Sequence, residues 1–228
     1  AQYASWPVGT MDFVITPLPL DDEAHTVSKF IALWGIPSVE ESQAAGMPHP
    51  MLAWTGEAPG LESFLDGFVK IGGGPVDEWP AERFVPIIEY IRSLRAPPPV
   101  TPPDAMQVAW GKAVFEASGC LDCHDGPRGS GKQVYSYQEI GTDDAMRHWG
   151  DPDGDGQLCC GLGDGMEMVQ HGIKSPRLVG VGHFGRFLHN GALDSLEQLL
   201  CLEARPPSLG HALDTAGHEY GCDLNEAD

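Results

Sequence analysis

The sequence predicts an all-α fold made of two related, loop-rich units in tandem. One observation is an internal repeat, in which Leu178-Val179-Gly180-Val181 resembles Leu33-Trp34-Gly35-Ile36, 145 residues earlier. A second is the helical spacing of apolar residues over positions 82–95 and 106–117. The third is a content of 29 Gly and 20 Pro in 228 residues, which favours short helices joined by turns.

The repeat also sets the expected domain boundaries. Residues 52–65 match residues 187–200 at an offset of 135, so most of each half belongs to the repeated pattern. Between the halves lies a stretch with five prolines, which is typical of a stiff connector. We therefore expect a first unit at 1–95, a Pro-rich linker at 96–105 and a second unit at 106–228.

The net charge of −20, from 13 Lys and Arg against 33 Asp and Glu, limits the possible partners. Nucleic acid is a poor partner because phosphate recognition needs a basic surface. No run of about 18 apolar residues occurs, so we expect no transmembrane segment. The first residues lack the basic start and apolar core of a signal peptide, so an exported form is expected to be a mature chain or a piece of one.

The sequence Cys120-Leu121-Asp122-Cys123-His124 is the most informative motif of the chain. A redox pair would favour a βαβ setting, and a zinc site would need a second ligand pair at suitable spacing. A histidine directly after the second cysteine instead indicates haem c attachment, in which both thiols bond to the porphyrin and the imidazole binds the iron. We therefore predict one covalent haem c, with His124 as its proximal ligand.

The residues before this motif predict a helix that delivers it. Asp104 is a suitable N-cap, with Gln107 at the reciprocal position of a capping box. Apolar residues then follow at helical spacing, and Gly119 is a natural helix end just before the first cysteine.

The other four cysteines predict disulfides, because haem c is attached outside the cytosol, where disulfides persist. Cys159 and Cys160 are adjacent and unsuited to bonding with one another. We expect one or two bridges from this pair to Cys201 and Cys222, with free buried thiols as the alternative.

The distal ligand of the iron is left open by the sequence. His189, Met168 and Met166 are the candidates, and another group or an open site is the remaining alternative. His189 could equally hydrogen-bond a loop backbone, and the methionines could simply fill the haem pocket. The other seven histidines are interpreted as surface or loop residues: His25, His49, His148, His171, His183, His211 and His218.

Asp151, Asp153 and Asp155 alternate with Pro and Gly in a pattern similar to the start of a calcium-binding loop. Leu162 stands where an EF-hand would place its bidentate glutamate, so a true EF-hand is not expected. A looser calcium site and a solvated acidic turn both stay open.

Taken together with the haem motif, four further landmarks resemble the bacterial dihaem cytochrome c peroxidase and MauG family: Gly111-Lys112-x-x-Phe115, Ile140-Gly141-Thr142-Asp143, Lys174-x-Pro176-x-Leu178 and Phe187-x-His189-Asn190-Gly191. The resemblance covers most of 106–228 and, more weakly, 25–95. It implies tandem class I cytochrome c-like domains, the first incomplete at its start and the second lacking its last helix. It also implies a periplasmic location and either peroxide reduction or related oxidation chemistry, with electrons passing between haems.

Three departures from this family shape the functional expectation. The chain has one attachment motif rather than two, Leu200-Cys201-Leu202 stands where an axial methionine is expected, and Trp54 replaces the equivalent of His189. The leading hypothesis is a periplasmic or otherwise exported c-type cytochrome passing single electrons to a redox partner protein or a second haem domain. The alternatives are a haem peroxidase-type enzyme acting with a haem outside this chain, and a haemless first unit that serves docking.

Overall fold

The structure is a computed structural model that describes residues 6–12, 27–71, 74, 81–148 and 171–224. Its elements are, in chain order, β1 (Thr10–Asp12), β2 (Val27–Lys29), α1 (Val39–Ala44), α2 (Leu61–Ile71), α3 (Val85–Ser93), α4 (Ala105–Ala117), β3 (Val134–Tyr135), α5 (Tyr137–Ile140), β4 (Ile173–Lys174) and α6 (Leu196–Leu199). Short 3-10 turns and irregular loops connect them. No helix in these ranges is long and apolar enough to cross a membrane.

The prediction of an all-α fold of tandem cytochrome c-like domains is wrong. Strands β1 and β2 form one antiparallel pair and strands β3 and β4 form another, while several of the described helices span six residues or fewer. A strand of two or three residues is too short to produce an alternating pattern of apolar residues, so sequence periodicity does not reveal it. The loop-rich character of the chain is as expected.

Two predicted helices are confirmed. Helix α3 lies within 82–95 and buries Ile88 and Ile91, while Phe84 is buried at its N-cap. Helix α4 begins after Asp104, whose carboxylate accepts hydrogen bonds from the backbone N–H groups of Met106 and Gln107. The N-cap and the apolar spacing act within a few residues, which is why both helices were readable from sequence.

The repeated loops of the two halves have the same local conformation. An isolated bridge joins Leu52 to Ala58 in the first half, and its equivalent joins Phe187 to Leu193 in the second. Ala53 and Leu188, which occupy matching positions, both adopt positive φ angles, at 66° and 64°. The repeat inferred from the sequence is therefore also a repeat of backbone structure.

The two halves exchange reciprocal backbone hydrogen bonds. The N–H of Lys29 donates to the carbonyl of His189 at 2.7 Å, and the N–H of Lys174 donates to the carbonyl of Trp54 at 2.8 Å. Lys174 is the repeat equivalent of Lys29, and His189 is that of Trp54, so each half makes the same contact to the other. Reciprocity of this kind is characteristic of a two-fold related interface.

Two further hydrogen bonds at the other end of the repeat each join a residue to its own repeat equivalent. The Nε1 of Trp34 donates to the carbonyl of Val179 at 2.8 Å, and Arg177 donates through Nη2 to the carbonyl of Ala32 at 2.7 Å. Both pairs are separated by 145 residues, the same offset that relates the two halves.

The buried apolar residues form two clusters. One lies entirely in the first half and joins Leu52 and Leu61 to the buried face of α3. The other spans both halves, because Trp54 packs with Tyr137, Met146 and Ile173. Residues 96–104 connect the halves and contain no helix or strand. The domain boundaries at 95 and 106 stay a prediction.

A substitution at Gly180 tests the contact between the two halves. It has φ at +70°, and a Cβ there would lie 2.8 Å from Nε1 of Trp34 and 2.9 Å from Cβ of Ala96. We expect Gly180→Ala to lower the free energy of unfolding by about 1–3 kcal/mol in urea titrations, through strain and overpacking. Gly182→Ala is the control, since its Cβ would meet nothing within 4 Å. Equal stability of the two variants would contradict the contact.

Candidate functional site

Helix α4 ends directly before the cysteine motif. Gly119, at φ 73°, turns the chain out of the helix, and a 3-10 turn follows over Cys120–Asp122. The N–H of His124 donates to the carbonyl of Cys120 at 3.0 Å, so the motif folds into one compact turn. Both motif thiols are free and half-buried. Two thiols and an imidazole are therefore presented together, as covalent haem attachment requires.

His124 is buried and held by the backbone. Its Nδ1 lies 2.5 Å from the carbonyl oxygen of Gly129, an acceptor that assigns the ring proton to Nδ1 and leaves Nε2 for a metal. Burial lowers the pKa of His124, although the carbonyls of Gly129 and Pro176 act in the opposite direction. The imidazole is thus neutral at pH 7, which is the form that binds iron.

Two buried cations lie on the strand and loop that follow. Lys174 ends β4 and is 3 % exposed; burial, with a contribution from Arg177, lowers its pKa to about 8. Arg177 is 8 % exposed, and burial and the charge of Arg128 lower its pKa to about 10. The positive charge of Lys174 also reaches His124, since it lowers that pKa.

These cations support the fit of haem to the site. Within the described ranges, neither Lys174 nor Arg177 forms an ion pair with a carboxylate, although both remain charged at pH 7. A buried charge without a counter-ion is costly. Haem carries two propionates, and two buried cations near the proximal histidine match that charge.

His218 lies beside His124, which the sequence did not indicate. Their ring centroids are 6.4 Å apart with the ring planes at 64°. Burial is the main reason that the pKa of His218 falls to about 4, and repulsion between its protonated ring and that of His124 adds to the shift. Tyr220 packs edge-on against His218 with centroids 5.8 Å apart. His218 is separated from the motif by 94 residues, so only its position between Cys201 and Cys222 could have drawn attention to it.

The loop carrying His218 is fixed by Arg205. The guanidinium donates to five backbone carbonyls, those of Gln198, Leu199, Thr215, Gly217 and His218, at 2.8–3.2 Å. The N–H of His218 donates to the carbonyl of Ile140 at 3.1 Å.

A disulfide between Cys201 and Cys222 closes the segment around this loop. The predicted pairing of these cysteines with Cys159 and Cys160 is therefore wrong. Cys201 and Cys222 come together, with their Cα atoms 4.8 Å apart, because the chain between them folds back on Arg205, a long-range effect that cysteine spacing does not reveal.

His189 belongs to a buried polar cluster. Its Nε2 lies 3.4 Å from Oδ1 of Asp143, and its Nδ1 lies 3.5 Å from Oγ1 of Thr142. Asn190 donates to the same aspartate through Nδ2 at 2.9 Å. His189 thus lies among polar side chains, although its Nε2 has no hydrogen-bond partner among the described residues. Its role as an iron ligand or as a loop-holding histidine stays a prediction.

Several predicted residues lie outside the described ranges: Met166, Met168, Asp151, Asp153, Asp155, Cys159 and Cys160. The proposed roles of these residues in iron ligation and calcium binding stay predictions. Among the described residues, no group of three or more His, Cys, Asp or Glu side chains is arranged to hold a metal ion.

Comparison with protein-family models, with curated proteins and with solved structures finds no match to this chain. The functional argument therefore rests on the residues themselves.

The cluster around Asp143 gives a stability prediction. Asp143→Asn replaces a buried, charged acceptor of hydrogen bonds from Asn190 and the N–H of Ala145, and we expect a loss of about 1.5–3 kcal/mol. Asp144→Asn, which affects a more exposed carboxylate paired with Arg147, should cost less than about 1 kcal/mol. Urea titration of both variants checks this, and a larger loss in Asp144→Asn would contradict the assignment.

Proposed function

We propose that this chain is an exported c-type cytochrome that transfers single electrons through one haem c. The observation that carries the proposal is the folded Cys-x-x-Cys-His turn, which presents two free thiols beside a buried imidazole whose Nδ1 faces a carbonyl. A redox cysteine pair would not need the histidine. A zinc site would need more ligands than this turn supplies.

Each residue of the site has a distinct role in this proposal. Cys120 and Cys123 would hold the porphyrin by thioether bonds, and Nε2 of His124 would bind the iron. The carbonyl of Gly129 orients the imidazole and makes it a stronger ligand. Lys174 and Arg177 would face the propionates. When bound, the haem supplies an iron that cycles between its ferric and ferrous states.

The relation to dihaem peroxidases and MauG is part of the same proposal. It is supported by the ordered landmarks in 106–228 and by the repeat that relates the two halves. Only one attachment motif is present in the sequence, so a second redox centre must belong to a partner protein or another haem domain. The Cys201–Cys222 disulfide supports export to an oxidising compartment such as the periplasm.

The attachment prediction concerns the motif cysteines. The double variant Cys120→Ser/Cys123→Ser should lose covalent haem entirely, because serine forms no thioether. Haem that stays with the polypeptide after acid–organic solvent extraction measures this, and a pyridine haemochrome assay should count one haem per native chain. Cys201→Ser/Cys222→Ser is the matched control and should keep its haem while losing stability. A native chain without haem would refute the proposal, and rapid peroxide turnover would favour an enzyme.

The net charge of the chain predicts how its association rate with a redox partner depends on ionic strength. A net charge of −20 should attract a redox partner with a basic face, so the association rate should fall as ionic strength rises. Stopped-flow reduction of the haem by a cationic cytochrome and by an anionic one, between 10 and 300 mM salt, separates the cases. We expect a fall of about tenfold or more for the cationic donor only. Rates independent of salt for both donors would contradict an electrostatic encounter.

A further inference from the structure

We propose that His218 is the second axial ligand of the haem iron, so that the cofactor is held between two histidines. The inference rests on the proposed function, because it requires haem at Cys120, Cys123 and His124. It differs from the three candidates that the sequence suggested, His189, Met166 and Met168. Four observations carry it, and each concerns His218 or the loop around it.

The first observation is the separation of the two imidazoles. Bonds between a metal and an imidazole nitrogen are about 2 Å long, so two imidazoles on opposite sides of one metal have ring centres roughly 6 Å apart. The His124 and His218 centroids are 6.4 Å apart. Nδ1 of His124 is already engaged by Gly129, and the other ring nitrogen is left for the iron.

The second observation is an unpaired nitrogen. Nδ1 of His218 is buried and has no hydrogen-bond partner among the described residues. A buried polar atom without a partner costs about 1–3 kcal/mol, so such atoms are rare and need a reason. The described protein groups therefore leave this ring nitrogen of His218 unengaged, as they do Nε2 of His189.

The third observation is the backbone of His218. It adopts φ of 51°, a left-handed conformation that is uncommon for residues other than glycine. The preceding Gly217 also has positive φ, and a Cβ there would lie 2.7 Å from Cβ of Thr142. Strain of this kind persists where the surroundings over-determine the conformation, and it is concentrated at functional sites.

The fourth observation is the support that holds the loop. Arg205 donates to the carbonyls of Thr215, Gly217 and His218, and the disulfide at Cys222 anchors the chain four residues later. A loop that carries an iron ligand must hold that side chain in a fixed position. The five hydrogen bonds donated by the guanidinium restrict the motion of this loop.

His189 also has a buried ring nitrogen, Nε2, that lacks a hydrogen-bond partner among the described residues. That nitrogen lies 3.4 Å from Oδ1 of Asp143, however, and Nδ1 lies 3.5 Å from Oγ1 of Thr142. The ring of His218 instead lies beside that of His124. A structural role is sufficient to explain the burial of His189. Of the two histidines, His218 is therefore the better candidate for the second iron ligand.

Two axial histidines have a functional consequence. A low-spin iron with both positions filled has no vacant site for peroxide, and a second histidine gives a lower reduction potential than a methionine would. The proposed ligand therefore favours electron transfer over peroxidase chemistry in this chain.

The test begins with the native holoprotein, so it needs no variant to fold. Near-infrared magnetic circular dichroism of the ferric form distinguishes bis-histidine from histidine–methionine ligation, and electron paramagnetic resonance reports the spin state. We expect a low-spin, bis-histidine signature. A methionine signature, which would point to Met166 or Met168, or a high-spin ferric iron, would overturn the inference.

A variant then identifies the histidine. Glycine tolerates the left-handed backbone, so His218→Gly should fold and become high-spin, and added imidazole should restore the low-spin spectrum. His183→Gly is the matched control, because His183 is an exposed histidine in a 3-10 turn, and it should remain low-spin without imidazole. A low-spin, bis-histidine spectrum in His218→Gly without imidazole would assign the ligand elsewhere and overturn the inference.

The two proposals fail in different ways. Absence of covalent haem in the native chain would refute the c-type cytochrome itself. One haem per chain with a methionine or vacant sixth position would leave the cytochrome intact and refute only the role of His218.

Discussion

The reciprocal hydrogen bonds between the two halves are the constraint on which the rest of the structure depends. Lys174 donates its N–H to Trp54 of the other half, and this contact fixes strand β4. Strand β4 leads directly to Pro176, whose carbonyl acts on His124, and to Arg177, which reaches back to Ala32. The Cys120–His124 motif belongs to the second half, but the residues around it are positioned by the first.

The first half contributes an indole to the shared core at the position where the second half has a histidine. Trp54 occupies the position equivalent to His189 and donates through Nε1 to the carbonyl of Lys29 at 2.9 Å. Its ring packs with Tyr137, Met146 and Ile173 from the second half. A large indole at this position therefore helps to fill the core that the two halves share. This arrangement agrees with the docking role considered for residues 1–95.

The net charge of the chain is negative, but the buried charges at the candidate site are positive. The chain carries −20 overall, while Lys174 and Arg177 are buried cations on the strand and loop beside His124. Acidic side chains on a surface cost little because water solvates them, whereas buried cations require a counter-charge. A cofactor with two carboxylates meets that requirement, so the electrostatics of the interior and the cysteine motif favour the same ligand.

The sequence by itself determined the features that depend on neighbouring residues. The Cys120–His124 motif, the N-cap at Asp104, helices α3 and α4 and the repeat offset were all readable, because each is expressed within a few residues or by direct similarity. Only the tertiary structure decided the two short sheets, the pairing of Cys201 with Cys222 and the approach of His218 to His124. These depend on contacts between residues far apart in the chain, where packing and backbone pairing leave no local pattern to read.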